Sequence, residues 1–140
     1  MAASPKYLFV YGTLRRGSTA LGEWQQRSGA QFVGRGSISA ELYDLGKYPG
    51  ALRSSSSKTR GEVYLLTRPE EILKRLDRYE GYDVRDPEES LFVRQTVTVK
   101  LQNGKTLMAW VYFFNKAPSK AKRISSGQYR KKSIRKQRAA

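Results

Sequence analysis

The stretch from Leu91 to Phe114 limits the architecture more than any other. Leu91 to Leu101 alternates, with Val93, Val97, Val99 and Leu101 on one face, which is the two-residue period of a half-buried strand. Asn103-Gly104 follows as the strongest hairpin signal in the chain. The return segment, Thr106 to Phe114, carries Trp110, Tyr112 and Phe114 on one face and Leu107, Ala109, Val111 and Phe113 on the other. A strand apolar on both faces must be covered from both sides, so it belongs in the middle of a sheet.

Other strands are legible around this hairpin. Tyr7-Leu8-Phe9-Val10-Tyr11 is a run of β-formers that reads as a buried strand. Gln31-Phe32-Val33 reads as a short strand punctuated by Gly34 and Gly36, after which Ile38, Ala40 and Leu42 alternate with Ser37, Ser39 and Glu41. Tyr48-Pro49-Gly50 is a turn signal, Ser54 to Ser57 a polar loop, and Gly61 to Leu66 another strand. Leu21 to Arg27 is expected to form a short helix carrying Trp24. The clearest helix spans Pro69 to Tyr79, with Thr67 as N-cap, Glu70 closing a capping box and Gly81 as a left-handed terminator. Ile72, Leu73, Leu76 and Tyr79 share its core-facing side. Many short strands with one good helix predict an α+β domain whose sheet is largely antiparallel and can curl into a barrel.

What the chain lacks excludes whole classes of chemistry. With neither cysteine nor histidine among 140 residues there is no thiol nucleophile, no Ser-His-Asp triad and no His/Cys zinc site. Acid–base work near neutral pH falls to a carboxylate, a lysine or a tyrosine. The absence of cysteine suits a cytoplasmic protein, no apolar run is long enough to cross a membrane, and no secretory signal precedes the first strand. The net charge of +15 is uneven. From Lys116 onward there are ten basic residues and no acidic ones, leaving 17 basic against 12 acidic in residues 1–115. Residues 1–115 are therefore read as the folded domain and 116–140 as a basic extension. Such an extension is either a solvated tail or a phosphate-binding arm, with Lys131-Lys132, Arg135-Lys136 and Arg138 for phosphates and Tyr129 for stacking.

Two places carry candidate chemistry. The first strand ends in Gly12-Thr13-Leu14-Arg15-Arg16-Gly17, a glycine-flanked loop of the kind that offers free backbone N–H groups to an anion, or else a plain turn after a core strand. It is not a nucleotide loop, because Ser18 stands where the phosphate-binding lysine is required. The second place is Glu80, at the C-terminus of the long helix. The partial negative charge of that helix end, and any burial between Tyr79, Gly81 and Tyr82, would raise its pKa towards the range of a general base. The alternative is an ordinary solvated helix-end glutamate.

Three segments in this order resemble the γ-glutamylcyclotransferase-like (AIG2-like) family: Tyr11-Gly12-Thr13-Leu14-Arg15-Arg16-Gly17, Leu42 to Gly50, and Leu76-Asp77-Arg78-Tyr79-Glu80-Gly81-Tyr82. The resemblance covers roughly residues 6 to 115. It implies a small mixed, largely antiparallel β-barrel with flanking helices. It also implies an enzyme that releases 5-oxoproline from a small γ-glutamyl amine or peptide without a cofactor or metal. The substrate's α-amine attacks its own γ-carbonyl, Tyr11, Gly12, Thr13 and Leu14 hold the α-carboxylate, and Glu80 is the general acid/base. The chain departs from the family pattern at Ser18 to Gly22, at Phe92-Val93-Arg94, where a Tyr-x-Arg is expected, and at Ile124 to Arg130. Two other readings stand beside this one: a weakly active or inactive γ-glutamyl-binding relative, and a nucleic-acid-associated protein using the basic tail.

Overall fold

The computed structural model describes residues 5–11, 29–46, 48–117 and 122–129. Its strands are β1 (Tyr7–Val10), β2 (Ala30–Asp44), β3 (Pro49–Leu66), β4 (Phe92–Leu101), β5 (Thr106–Phe114) and β6 (Lys122–Arg123), with helix α1 (Pro69–Tyr79) between β3 and β4. Strands β4 and β5 form the expected hairpin, in register from Phe92↔Phe114 to Lys100↔Thr106. Its loop is three residues long: Gly104, at φ 89°, donates its N–H to the Leu101 carbonyl, and Leu101 N–H bonds the Lys105 carbonyl. Asn103-Gly104 thus ends a bulged turn and not a two-residue one.

The doubly apolar β5 lies between β4 and β1, as its pattern requires. The sheet order is β3-β1-β5-β4-β2-β6, and a further β2–β3 pairing closes the first five strands into a barrel. All pairings are antiparallel except β1 with β5, which are parallel at Leu8↔Trp110. Closure needs a corner, and glycine supplies it. Gly36 and Gly61 are paired, and Gly36 is also the point where β2 meets β4. A Cβ on Gly36 would stand 2.7 Å from the Lys100 carbonyl oxygen, and one on Gly61 would collide with the Val10 carbonyl oxygen.

Three sequence expectations change here. Gly34 and Gly36 do not end a strand; β2 runs through them with a bulge between Phe32 and Gly34. Ser54 to Ser57 lie within β3, not in a separate loop, although pairing to β2 passes from Ala40↔Arg53 to Ser39↔Lys58 and skips them. The capping box does not form. The N-cap of α1 is Arg68 without a side-chain bond, while Thr67 gives both its hydroxyl (2.8 Å) and its N–H (3.1 Å) to the Gly29 carbonyl. The hydroxyl is spent on tying α1 to the start of β2.

Two apolar layers result. Phe9, Ile38, Leu42, Val63, Val99 and Val111 belong to the cluster that fills the barrel. Leu8, Val10, Tyr64, Leu66 and Tyr112, on the opposite strand faces, form a layer with Ile72, Leu73 and Leu76 of α1. Tyr79 departs from the expected face and is exposed. Beyond residue 115 the chain returns to the barrel: Lys122 and Arg123 pair with Asp44 and Tyr43, and the Gly127 carbonyl accepts the Arg60 N–H at 2.6 Å. The helix expected at Leu21 to Arg27 and the chain after Tyr129 lie outside the described residues.

Candidate active site

Glu80 owes its position to the way α1 stops. Gly81 takes φ 69°, a conformation costly for any residue with a Cβ. Its N–H reaches the Arg78 carbonyl at 3.3 Å, and Tyr82 N–H reaches the Asp77 carbonyl at 2.7 Å. These are the two bonds of a Schellman cap, so the terminator read from Gly81 is the one observed. Leu91 N–H then bonds the Gly81 carbonyl at 3.1 Å and draws the start of β4 against the cap. Glu80 is held at the last turn with φ −88° and ψ 0°.

Burial of the Glu80 carboxyl raises its pKa to about 7, from a usual 4.5. The helix end acts in the same direction. Its charge reaches two tyrosines from other elements. Tyr11 and Tyr112 both have pKa values pushed far up, first by their own burial and, in smaller part, by the Glu80 charge. Both hydroxyls are therefore neutral donors at physiological pH. Tyr11 Oη donates to the Tyr112 carbonyl at 2.5 Å and accepts the Ala51 N–H at 3.1 Å, which pins the end of β1 to β5 and to the start of β3. Among the residues singled out in the sequence, Tyr11 lies within electrostatic reach of Glu80; Gly12, Thr13 and Leu14 lie outside the described residues.

Sequence reasoning missed the network next to Glu80. Asp77, one turn earlier on α1, is buried and takes both guanidinium donors of Arg94, Nε at 2.8 Å and Nη2 at 3.1 Å. Its Oδ1 also accepts the Tyr112 hydroxyl at 2.6 Å. Arg94 lies over the Trp110 ring, 4.4 Å from the centroid, with Tyr82 at 5.9 Å on its flank. A bidentate pair of this kind fixes direction as well as charge. It locks α1 to β4 and β5 next to the turn that carries Glu80. The signal was available, since Leu73, Leu76, Asp77 and Glu80 follow the spacing of one helix face, and a carboxylate on a core-facing stripe asks for a partner.

Two concavities border this region. A groove of about 1170 Å³ runs past Asp77, Arg94, Trp110 and Tyr82, but neither Glu80 nor Tyr11 is part of its wall. A cleft of about 460 Å³ is lined by Glu62 and the basic residues Arg35 of β2, Lys58 and Arg60 of β3 and Lys100 of β4. Among the described residues no group of three His, Cys, Asp or Glu side chains is arranged to hold a metal, and no helix is long and apolar enough to cross a membrane.

Comparison with known proteins gives the family and supports the fold. Residues 8–131 match the family model for gamma-glutamyl cyclotransferase, AIG2-like. The chain is 34% identical over 110 residues to the gamma-L-glutamyl-butirosin B gamma-glutamyl cyclotransferase of Niallia circulans, covering 78% of this chain and 67% of that protein. An AIG2-like protein from Mus musculus shares the fold with a TM-score of 0.70, covering 94% of this chain and 92% of its own at 21% identity. The ytfP protein of Escherichia coli aligns with a TM-score of 0.60 at 29% identity, over 88% of this chain and 95% of its own. With the family match spanning nearly the whole fold, the chain belongs to the γ-glutamyl cyclotransferase, AIG2-like family.

Proposed function

We propose that the protein releases 5-oxoproline from a small γ-glutamyl amine or peptide, with Glu80 as the general acid/base. The observation that carries this reading is the Glu80 carboxyl, raised to about 7 and within electrostatic reach of Tyr11 and Tyr112. A base with a pKa near the working pH combines a usable deprotonated fraction with real proton affinity.

The reaction needs no nucleophile from the protein. The substrate's α-amine attacks its own γ-carbonyl carbon, forming the N–C bond of the five-membered ring, and Glu80 takes the proton that the amine loses. The tetrahedral adduct then breaks its bond to the amide nitrogen, and Glu80 returns the proton to the departing amine. Holding the glutamyl group folded raises the effective concentration of the attacking amine, and that is where most of the acceleration lies. Backbone N–H groups of Thr13 and Leu14 would hold the α-carboxylate, with Tyr11 and Gly12 setting the direction of that loop. Tyr112, kept neutral and bonded to Asp77, bounds the site without competing for the proton.

The test is 5-oxoproline release from a panel of γ-glutamyl amines, amino acids and peptides, with wild type beside Glu80→Gln. Release by the wild type and a loss of about 10²–10⁴-fold in the variant are expected. Release that survives the substitution at near wild-type rate removes Glu80 from the mechanism. Binding of γ-glutamyl compounds without release favours the inactive relative.

A further inference from the structure

Strand register sets one face of the barrel apart. Glu62 pairs with Arg35, Arg60 with Ser37, and Ser37 with Lys100 across the next strand boundary. Paired residues share a face, and so do residues two apart on one strand. Arg35, Lys58, Arg60 and Lys100 therefore stand on the same outer wall, around the 460 Å³ cleft, with Gly36 and Gly61 at its floor. Among the described residues none of the four forms an ion pair, whereas Arg68 at the N-cap of α1 and Arg75 within it are both paired to Glu71. The single carboxylate in the wall, Glu62, is buried and accepts the Tyr64 hydroxyl at 3.1 Å. In the register Arg35 stands opposite Glu62 and the other three stand opposite serines, so the concavity carries a net positive charge that an anionic ligand would offset.

We propose that this cleft binds a multiply charged anionic group, phosphoryl or paired carboxylate. Guanidinium groups from two strands supply forked donors suited to such oxygens, and the ammonium groups of Lys58 and Lys100 add point charge. The Ser37 hydroxyl sits in the middle of the Arg60–Ser37–Lys100 row as a further donor. The cleft also stands in a defined relation to the catalytic region. Arg94 pairs with Tyr112, Val10 lies beside Tyr112 two residues on from Leu8↔Trp110, and Val10 pairs with Glu62. By this route Glu62 is two strands from Tyr112, and Arg35, opposite Glu62, lies on the next strand. Two sources fit that geometry: a separate anion, or an acidic group on the leaving half of the substrate. Only the second rests on the cyclotransferase reading.

The experiment is a titration of the full-length protein with inorganic pyrophosphate at low salt, followed by backbone amide NMR shifts. Saturable shifts at Gly36, Ser37 and Gly61 are expected, with affinity at least about tenfold weaker in the Arg60→Gln/Lys100→Gln variant. The basic tail is common to both proteins and cancels from that comparison. Ser37→Asp, which adds a carboxylate to the row without removing a cation, should produce the same loss. Shifts confined to residues 116–140, or equal affinity in all three proteins, overturn the proposal. Kinetics separate the sources. A KM that rises in the variants for γ-glutamyl-aspartyl-aspartate but not for γ-glutamyl-alanyl-alanine assigns the cleft to the substrate. An unchanged KM beside weakened pyrophosphate binding assigns it to a separate anion. If no peptide releases 5-oxoproline, the catalytic reading fails while the titration still decides the cleft.

Discussion

The inside of the barrel and the outside of its wall beneath α1 are built from the same strands and do opposite work. Inside, Phe9, Ile38, Leu42, Val63, Val99 and Val111 pack together, and the only cation found over a ring of this cluster among the described residues is the exposed Arg53, 4.8 Å from the Phe113 centroid. The buried hydroxyls of Tyr11 and Thr59 are each bonded to a backbone carbonyl, Tyr112 and Ala40. Outside, the next residues along the same strands include Glu62, Arg94 and Tyr112, which with Asp77 of α1 are woven into an apolar layer. A five-stranded barrel is filled by its own side chains, which leaves no room for a substrate inside. Stability is concentrated within, and the proposed chemistry is assigned to the place where a helix end meets the wall.

Truncation inside should therefore be the most damaging change to stability and the least informative for mechanism. Phe9→Ala is expected to cost about 3–5 kcal/mol in urea unfolding, because the ring is buried at the centre of the closed barrel. Whatever activity survives should keep the wild-type pH dependence; a moved pH profile would mean that the two layers are not separable. Outside, Asp77→Asn leaves the Arg94 guanidinium without its counter-charge, and a loss on the order of 3 kcal/mol is expected. A loss below about 0.5 kcal/mol would show that the pair is no more than a surface contact.

A functional carboxylate should behave in the reverse sense. Glu80 has its folded pKa raised, so its ionisation disfavours the folded state, and wild-type stability falls as pH rises from about 4.5 to about 7. Glu80→Gln removes that penalty. The variant should be more stable than wild type by about 3 kcal/mol at pH 8, with the difference gone at pH 4, as read from thermal unfolding at each pH. Equal stability at both pH values would mean that Glu80 is not desolvated. The smallest effect belongs to Thr67→Val, which should cost about 0.5–1 kcal/mol through the lost bond to Gly29 and leave helix content unchanged. Fraying of α1 by circular dichroism would instead restore Thr67 to the capping role.

Local signals in the sequence carried much of this. Alternation and Asn103-Gly104 placed β4 and β5, and Gly81 placed the end of α1, because each depends on neighbours in the chain. Long-range requirements were hidden. The Thr67 hydroxyl had a nearer use in the helix than in the structure, and only the closed sheet brings Gly29 within its reach. Gly34 and Gly36 read as breaks because nothing local says that β4 crosses there. Asp77 and Arg94 are 17 positions apart, so their pairing belongs to the packing of α1 on the barrel. For the same reason the sequence named Glu80 and Tyr11 but could not place one within electrostatic reach of the other.

The most direct measurement is kcat/KM for 5-oxoproline release as a function of pH. The account predicts a rising limb with a midpoint near 7 in the wild type, and a flat profile at least about 100-fold lower in Glu80→Gln. A midpoint near the ordinary carboxylate value of 4.5, or a variant that keeps the wild-type profile, would contradict the assignment of Glu80 as the base.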